Sequence, residues 1–198
     1  MKCQEHSVSQ PLVLASASSR RLELLSLLGV PFEVIPSQAE ENDVSGSGRE
    51  RVRVLARRKG EEVFARLPGR AVLAADTLVC VENEVLGKPA DEADAARMIR
   101  LLSGKSHWVY TGVCLLLPDG SVREEVCGTE VCFAELEEEE ILRYAASGEP
   151  LDKAGAYAVQ GRAGAFVRSI HGSPTNVIGL PLETVARMLR EAGWRLFD

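Results

Sequence analysis

The sequence lacks long apolar runs and paired cysteine motifs, and each absence excludes a class of protein. No apolar run reaches the length that spans a bilayer. Residues 1–10 lack the apolar centre of a signal peptide. The five cysteines form no Cys-x-x-Cys pair, which disfavours a zinc framework or a secreted disulfide scaffold. We therefore expect a cytoplasmic protein that does not enter membranes, with residues 1–10 as a flexible tail.

An excess of positive charge is also absent. Lysine and arginine number 23 against 29 acidic residues, which gives a net charge of −6. This balance argues against binding of a nucleic acid polymer, which requires neutralisation of many phosphates. A small anionic ligand is still compatible, because it needs only a local cluster of cations. The length of 198 residues and the 45% apolar content predict a single domain over residues 1–198.

The run AVLAADT, residues 71–77, is the most informative stretch. Its apolar residues predict a strand that is buried on both faces, and the run ends in Asp76 and Thr77. In open α/β sheets, ligands bind just outside the carboxyl ends of the strands. We therefore expect Asp76 and Thr77 to lie at the edge of a ligand site.

A first strand, residues 11–16, leads through a serine-rich turn into a helix that carries Arg20 and Arg21 in its first turn. Cations at a helix N-terminus oppose the macrodipole, at a cost of roughly 0.3–1 kcal/mol each. With the N–H groups of the first turn they could instead form an anion site. The alternative is that both arginines are solvated surface residues, and the residues alone leave both interpretations open.

Two further segments contain charged residues in suggestive places. Glu40, Glu41 and Asp43 lie in a polar loop and could hold a hard divalent cation through oxygen, although loop acids are more commonly only solvated. The next helix, expected over residues 49–67, has an apolar stripe that includes Lys59. A lysine in such a stripe either extends to solvent or points into a site.

The rest of the chain predicts a hairpin, helices over residues 91–104, 135–146 and 179–194, and strands over residues 107–117, 121–136 and 165–173. Residues 147–164 show little periodicity, which in a compact domain is typical of functional or disordered segments. His107 lies within a strand and is expected to be a structural hydrogen-bonding residue. Nothing indicates that it pairs with His171 in a metal site.

A series of short sequence motifs resembles, in its order and spacing, the Maf-like nucleoside triphosphate pyrophosphatases. They are LASASSRR, LARRKG, AADT, GKP, LSGKSHWVYTGV, SGEPLDKAGAYAVQG and HGSPTNVIGLPL, and they extend from about residue 11 to 182. The resemblance implies an α/β fold with a mixed, elongated sheet flanked by helices and two lobes around a cleft, similar to inosine triphosphate pyrophosphatase. It also implies hydrolysis of a nucleoside triphosphate to the monophosphate and pyrophosphate, with Mg²⁺ or Mn²⁺ as cofactor.

The resemblance further implies a set of site residues. Asp76 matches the proton acceptor of the family, and Glu41 and Asp76 match positions near the metal. The matches for substrate binding are Ser16, Arg20, Arg21, Lys59, Thr77, Lys88, Lys153 and Gln160. Among these, Arg20, Thr77 and Gln160 match the branch that acts on dTTP and UTP. Three positions depart from the usual words: Ala17, Ser19 and Gly60 stand where the family commonly has glycine, proline and alanine.

The chemistry of these residue types fits that function. A triphosphate needs fixed cations that absorb charge as pyrophosphate leaves, and five lysines and arginines supply them. Gln160 offers a donor and acceptors that suit the edge shared by thymine and uracil, whereas cytosine presents the reverse pattern.

Two other classes stay open at this point. A nucleotide-binding regulator would need the cations but not Asp76, and the resemblance implies such a role in septum formation. A phosphoryl transferase is disfavoured, because neither GxxxxGK[ST] nor GxGxxG occurs. The sequence leaves open whether the chain forms a homodimer.

Overall fold

The computed structural model describes residues 10–41 and 44–197. Most of the expected tail and Asp43 therefore lie outside the described residues. The strands are β1 (Leu12–Leu14), β2 (Phe32–Val34), β3 (Val72–Val81), β4 (Glu84–Leu86), β5 (Ser106–Leu116), β6 (Val122–Phe133) and β7 (Val167–His171). The helices are α1 (Ser19–Ser26), α2 (Gly48–Arg66), α3 (Glu92–Leu102), α4 (Glu138–Ala145), α5 (Pro174–Ile178) and α6 (Leu182–Glu191).

All seven strands belong to one mixed sheet in the order β2-β1-β3-β5-β6-β7, with β4 paired to β3. β1 is parallel to both β2 and β3. The pairs β3–β5, β5–β6 and β6–β7 are antiparallel. The long strands β3 and β5 pair from Val72–Leu116 to Cys80–Trp108 and therefore connect the two ends of the sheet. The expected mixed α/β architecture is confirmed.

The strand that contains Asp76 does not end at Thr77, contrary to the expectation from the AVLAADT run. β3 continues to Val81, because the following residues are again apolar and pair with β4 and β5. Its parallel neighbour β1 ends at Leu14, which pairs with Leu73. Asp76 therefore lies beyond the carboxyl end of β1, and the rule on ligand position applies to β1 instead of β3.

Helix α2 packs directly on the middle of the sheet. It begins with a capping box in which Ser47 and Glu50 satisfy each other's backbone N–H groups. A Cβ added at Gly112 of β5 would lie 2.2 Å from the carbonyl oxygen of Val52. Glycine at this position lets the helix backbone approach the strand closely enough for the next turn of α2 to face β3.

The apolar side chains form separate clusters at the two ends of the sheet. One cluster joins α1 and α6 to β1 and the first half of β3. Another joins α3 and α4 to the distal half of β3 and to β5 and β6. These clusters form the cores of two lobes, and a cleft opens between them, as the resemblance implied.

The expected helix over residues 179–194 is present as α6, and a short helix that the sequence did not predict, α5, precedes it. Gly179 has a φ of 127° and ends α5, and Pro181 immediately precedes α6. Residues 147–164 contain only short 3₁₀ turns, with Gly148 and Gly155 at positive φ. Among the described residues, no helix has both the length and the apolar content needed to cross a membrane.

Candidate active site

The cleft between the lobes has a volume of about 600 Å³. Its walls come from the start of α1, the loop before α2, the centre of β3, the segment around residue 155 and the end of α5. Every residue that the resemblance implied for the site lines it: Ser16, Arg20, Arg21, Glu41, Lys59, Asp76, Thr77, Lys88, Lys153 and Gln160. The structure therefore brings together residues that are separated by up to 144 positions (160 − 16) in the sequence.

Lys59 occupies the centre of a charged cluster. Its Nζ lies 2.6 Å from Asp76 Oδ1 and 2.9 Å from Glu41 Oε1. The side chain is only 13% exposed, because it arises from the face of α2 that packs on β3. Lys59 therefore does not extend to solvent but points into the cleft.

The loop that carries Glu41 is fastened to α2 by three hydrogen bonds. The backbone N–H of Gln38 donates to Glu62, Arg58 donates to the carbonyl of Glu40, and Arg66 donates to the carbonyl of Pro36. Helix α2 therefore positions both Lys59 and the backbone next to Glu41.

Arg21 is not a solvated surface residue, which excludes the surface interpretation for this arginine. Its Nε donates to the carbonyl of Gly179 at 2.9 Å, its Nη2 to Thr77 Oγ1 at 3.1 Å and its Nη1 to Ser16 Oγ at 3.4 Å. Burial lowers the pKa of Arg21, and the negative charge of Asp76 opposes that shift. The guanidinium is thus fixed at the floor of the cleft, with its positive charge near Asp76.

Thr77 faces the same floor of the cleft. Its hydroxyl lies 2.9 Å from that of Thr111 and accepts from Arg21. The polar contacts of Thr77 are therefore with the protein, and its side chain helps to hold Arg21.

The remaining cations stand in different environments. Lys153 donates to the carbonyl of Glu149 and forms an ion pair with Asp152. The hydrogen bond from Lys153 is the main cause that lowers the pKa of Asp152, and Arg20 contributes to the same shift. Lys88 is exposed at the rim and has no ion pair with any described residue. Arg20 and Lys88 are thus available to an anionic ligand.

The cleft also has an apolar lining. It consists of Leu78, Val79, Val109, Tyr157, Val177 and Ile178, and the exposed Gln160 lines the cleft as well. The hydroxyl of Tyr157 lies 2.8 Å from His107 Nε2, so His107 has the structural role expected of it. Burial lowers the pKa of His107 to about 4, which keeps the imidazole neutral. The lining therefore offers apolar surface for a planar ligand group as well as cations for a phosphate chain.

The donor set fits a divalent cation that is held mainly by its ligand. No group of three or more His, Cys, Asp or Glu side chains forms a metal cage in the described part of the chain. Asp76 and Glu41 nevertheless converge on one cation, Lys59 Nζ, and Asp76 Oδ2 is buried without a described hydrogen-bond partner. Mg²⁺ is commonly bound by one or two carboxylates together with substrate phosphates.

Three residues of the site were not predicted from the sequence. Thr111 and Asn176 lie behind the floor of the cleft, and Tyr157 forms part of its wall. All three lie within the sequence motifs given above, but a short motif does not show which groups a hydroxyl, an amide or a phenol contacts. Because side chains alternate between the two faces of a strand, the sequence of β5 could have predicted that Thr111 lies on the same face as the buried Val109 and Val113.

Comparison with known proteins agrees with this architecture. The family model described as Maf-like protein matches residues 11–192. A dTTP/UTP pyrophosphatase of Symbiobacterium thermophilum is 49% identical over 191 residues, covering 95% of this chain and 97% of that protein. A dTTP/UTP pyrophosphatase of Anaeromyxobacter dehalogenans is 50% identical over 189 residues, with 93% and 95% covered.

Among solved structures, the Ham1 protein of Staphylococcus aureus matches with a TM-score of 0.54 and 15% identity. The match covers 92% of this chain and 100% of that chain, and it shows that the two proteins share a fold. The family match over nearly the whole chain and the identity to its relatives together show that this chain belongs to the Maf-like protein family.

Proposed function

We propose that this chain hydrolyses dTTP and UTP to the monophosphate and pyrophosphate, with Mg²⁺ or Mn²⁺ as cofactor. The observation that carries the proposal is the cleft itself, which brings lysines and arginines together with the Lys59–Asp76 pair, apolar side chains and Gln160. The names of the relatives with about half of their residues in common support the same substrates.

The lysines and arginines that line the cleft would bind the triphosphate. Arg20 and Lys88 have no ion pair among the described residues. Their N–H groups can therefore donate to phosphate oxygens without breaking a contact. Arg21 supplies a third positive charge from below. Fixed cations stabilise charge that develops on the leaving pyrophosphate, because they need no reorganisation during the reaction.

Asp76 would accept a proton from the attacking water. In hydrolysis, the water oxygen forms a bond to the α-phosphorus, the bond from that phosphorus to the bridging oxygen breaks, and a water proton passes to a base. Asp76 Oδ1 is already bound to Lys59, whereas Oδ2 has no described partner and can accept that proton or contact a cation. Lys59 fixes the orientation of the carboxylate.

Glu41 and Asp76 would hold the divalent cation together with phosphate oxygens of the substrate. When bound, such a cation neutralises phosphate charge and acts as a Lewis acid. Lys59 contacts both carboxylates and is therefore the group that would shift as the cation binds.

The base would lie against the apolar residues that line the cleft. Gln160 is exposed there, and its amide can both donate and accept, which matches the O4 and N3–H edge of thymine and uracil. Thymine and uracil differ by one methyl group, which a pocket distinguishes by only about 1–3 kcal/mol, so activity on both is expected.

The test is pyrophosphate release from dTTP, UTP, CTP, GTP, ATP and 7-methyl-GTP with Mg²⁺ or Mn²⁺. We expect preferential turnover of dTTP and UTP, reduced about 10²- to 10⁴-fold in Asp76→Asn because the base is lost. Asp119→Asn, in an exposed turn, is the matched control and should be unaffected. Nucleotide binding without turnover would favour a regulator, and full activity of Asp76→Asn would assign the base to another carboxylate.

A further inference from the structure

A chain of buried hydrogen bonds runs from Arg21 away from the cleft. Arg21 Nη2 donates to Thr77 Oγ1 at 3.1 Å, and that hydroxyl lies 2.9 Å from Thr111 Oγ1. Thr111 is fully buried, and its hydroxyl reaches the main-chain carbonyl of Asn176 at 3.3 Å. Four residues from α1, β3, β5 and α5 are thus joined in one line of polar contacts.

The direction of donation along this series of hydrogen bonds is restricted. Arg21 can only donate, and a carbonyl can only accept. The hydroxyl proton of Thr77 therefore goes to Thr111, which then donates to Asn176, or it goes to the carbonyl of Gly179 at 3.4 Å while Thr111 donates to Thr77. In both patterns Thr77 accepts from Arg21 and keeps its proton inside the protein.

The far end of the chain is anchored by the side chain of Asn176. Its Nδ2 donates to the carbonyl of Val109 at 2.9 Å and to Thr129 Oγ1 at 3.0 Å, which ties α5 to both β5 and β6. The carbonyl of Asn176 also accepts from the N–H of Gly179. Arg21 Nε donates to the carbonyl of Gly179. The end of α5 therefore binds Arg21 directly, and α5 also contacts it indirectly through Thr77 and Thr111.

These contacts leave part of the guanidinium for a ligand. Three of the five N–H donors of Arg21 are bound by Gly179, Thr77 and Ser16, so one N–H on each of Nη1 and Nη2 is not taken by a described residue. A long arginine side chain loses considerable rotamer entropy on binding a ligand, and prior fixation removes that cost.

We propose that Thr111 and Asn176 are positioning residues that fix Arg21 for substrate phosphate, although neither lines the cleft. The role in catalysis rests on the function proposed above, whereas the fixation of Arg21 is a property of the ligand-free protein. The two parts can therefore be tested separately.

The first experiment measures the fixation of Arg21 without any ligand. In ¹⁵N–¹H correlation spectra, the Nε–H signal of Arg21 is assigned by its loss in Arg21→Lys. Thr111→Val removes the hydroxyl and keeps the shape, and the freed proton of Thr77 then competes with Arg21 for the carbonyl of Gly179. We expect hydrogen exchange of Arg21 Nε–H to become about tenfold faster or more, as for loss of one hydrogen bond to a charged group.

Two further variants separate this effect from general loosening. Thr111→Ser restores the hydroxyl and should restore slow exchange. Thr184→Val, at a buried threonine of α6 outside the chain of contacts, is the matched control and should leave the signal unchanged. If Thr111→Val does not fold, Thr111→Ala replaces it. Unchanged exchange in the variant without the hydroxyl, or equally fast exchange in Thr184→Val, would overturn the proposal.

The second experiment measures kinetics on dTTP with the same three variants. For Thr111→Val we expect KM to rise about tenfold, with kcat within roughly threefold of the parent, because a loosened Arg21 weakens phosphate binding and the Lys59–Asp76 pair is untouched. Thr111→Ser and Thr184→Val should keep the parent KM. An unchanged KM despite faster exchange would overturn the role in substrate binding. Absence of turnover in the parent would instead overturn the proposed function, and the exchange data would still decide the fixation of Arg21.

Discussion

Lys59 Nζ lies between Asp76 Oδ1, at 2.6 Å, and Glu41 Oε1, at 2.9 Å, and the two ion pairs differ in burial. The side chain of Asp76 is 7% exposed, whereas that of Glu41 is 60% exposed. Solvent screens the pair with Glu41, so the pair with Asp76 dominates the stability of the cluster. The same ammonium thus stabilises a carboxylate in the core and contacts a carboxylate on the surface loop.

Replacing Lys59 with methionine is expected to destabilise the protein by about 3 kcal/mol, because it leaves Asp76 buried without its counter-charge. The free energy of unfolding from urea titrations at neutral pH measures the effect. Lys105→Met is the matched control, since Lys105 pairs with Glu82 at 2.8 Å on an exposed surface and should lose no more than about 0.5 kcal/mol. Equal losses in the two variants would show that Asp76 does not depend on Lys59.

Replacing Gly112 with alanine tests the close approach of α2 to β5. The new Cβ would lie 2.2 Å from the carbonyl oxygen of Val52, so helix and strand must separate. We expect a loss of roughly 2–3 kcal/mol in the free energy of unfolding, as for other overpacked sites. At Gly87 an added Cβ meets nothing within 4 Å, and Gly87→Ala should therefore be close to neutral. A stable Gly112→Ala variant would mean that the helix has room to move.

The periodicity of the sequence predicted most elements of the fold, because burial on one face leaves a repeating apolar pattern. It could not predict where β3 ends. Asp76 and Thr77 interrupt the apolar run, yet β5 pairs with them through Gly112 and Thr111, and the strand continues to Val81. Pairing with a distant strand is a tertiary effect that local sequence does not record.

The site was predicted mainly from resemblance, since spacing alone left Lys59, Arg20 and Arg21 with surface alternatives. The structure adds hydrogen bonds between distant residues, which the sequence motifs do not indicate. Arg21 is held by a carbonyl of Gly179, more than 150 residues away in the chain, and Thr77 by Thr111. Hydrogen bonds to main-chain groups depend on where the chain folds and not on residue type, so no motif indicates them.

His107 gives the protein a specific sensitivity to acid. Burial lowers its pKa from 6.5 to about 4, so the folded state keeps the neutral ring while the unfolded chain binds a proton below pH 6.5. The contribution of His107 to the free energy of unfolding is therefore fully present above pH 6.5 and is lost as the pH falls toward 4.

Between pH 7 and pH 4.5 we expect the parent to lose about 2 kcal/mol more than His107→Gln in the free energy of unfolding. Urea midpoints at the two pH values measure the difference. His171→Gln, at an exposed position of β7, is the matched control and should follow the parent. If His107→Gln shows the same pH dependence as the parent, then the ring is not kept neutral by burial.

Replacing Gln160 tests how the base is selected. If its amide donates to O4 and accepts from N3–H, Gln160→Leu should lower the preference for dTTP over CTP by about tenfold, measured as the ratio of kcat/KM values. Gln160→Glu keeps the length of the side chain but only accepts, which suits the amino group of cytosine, so this variant should shift the ratio further toward CTP. An unchanged ratio in both variants would assign base selection to the apolar wall formed by residues such as Val109 and Tyr157. Because each variant is compared on two substrates, a general loss of activity or stability cancels from the ratio, and only recognition of the base remains.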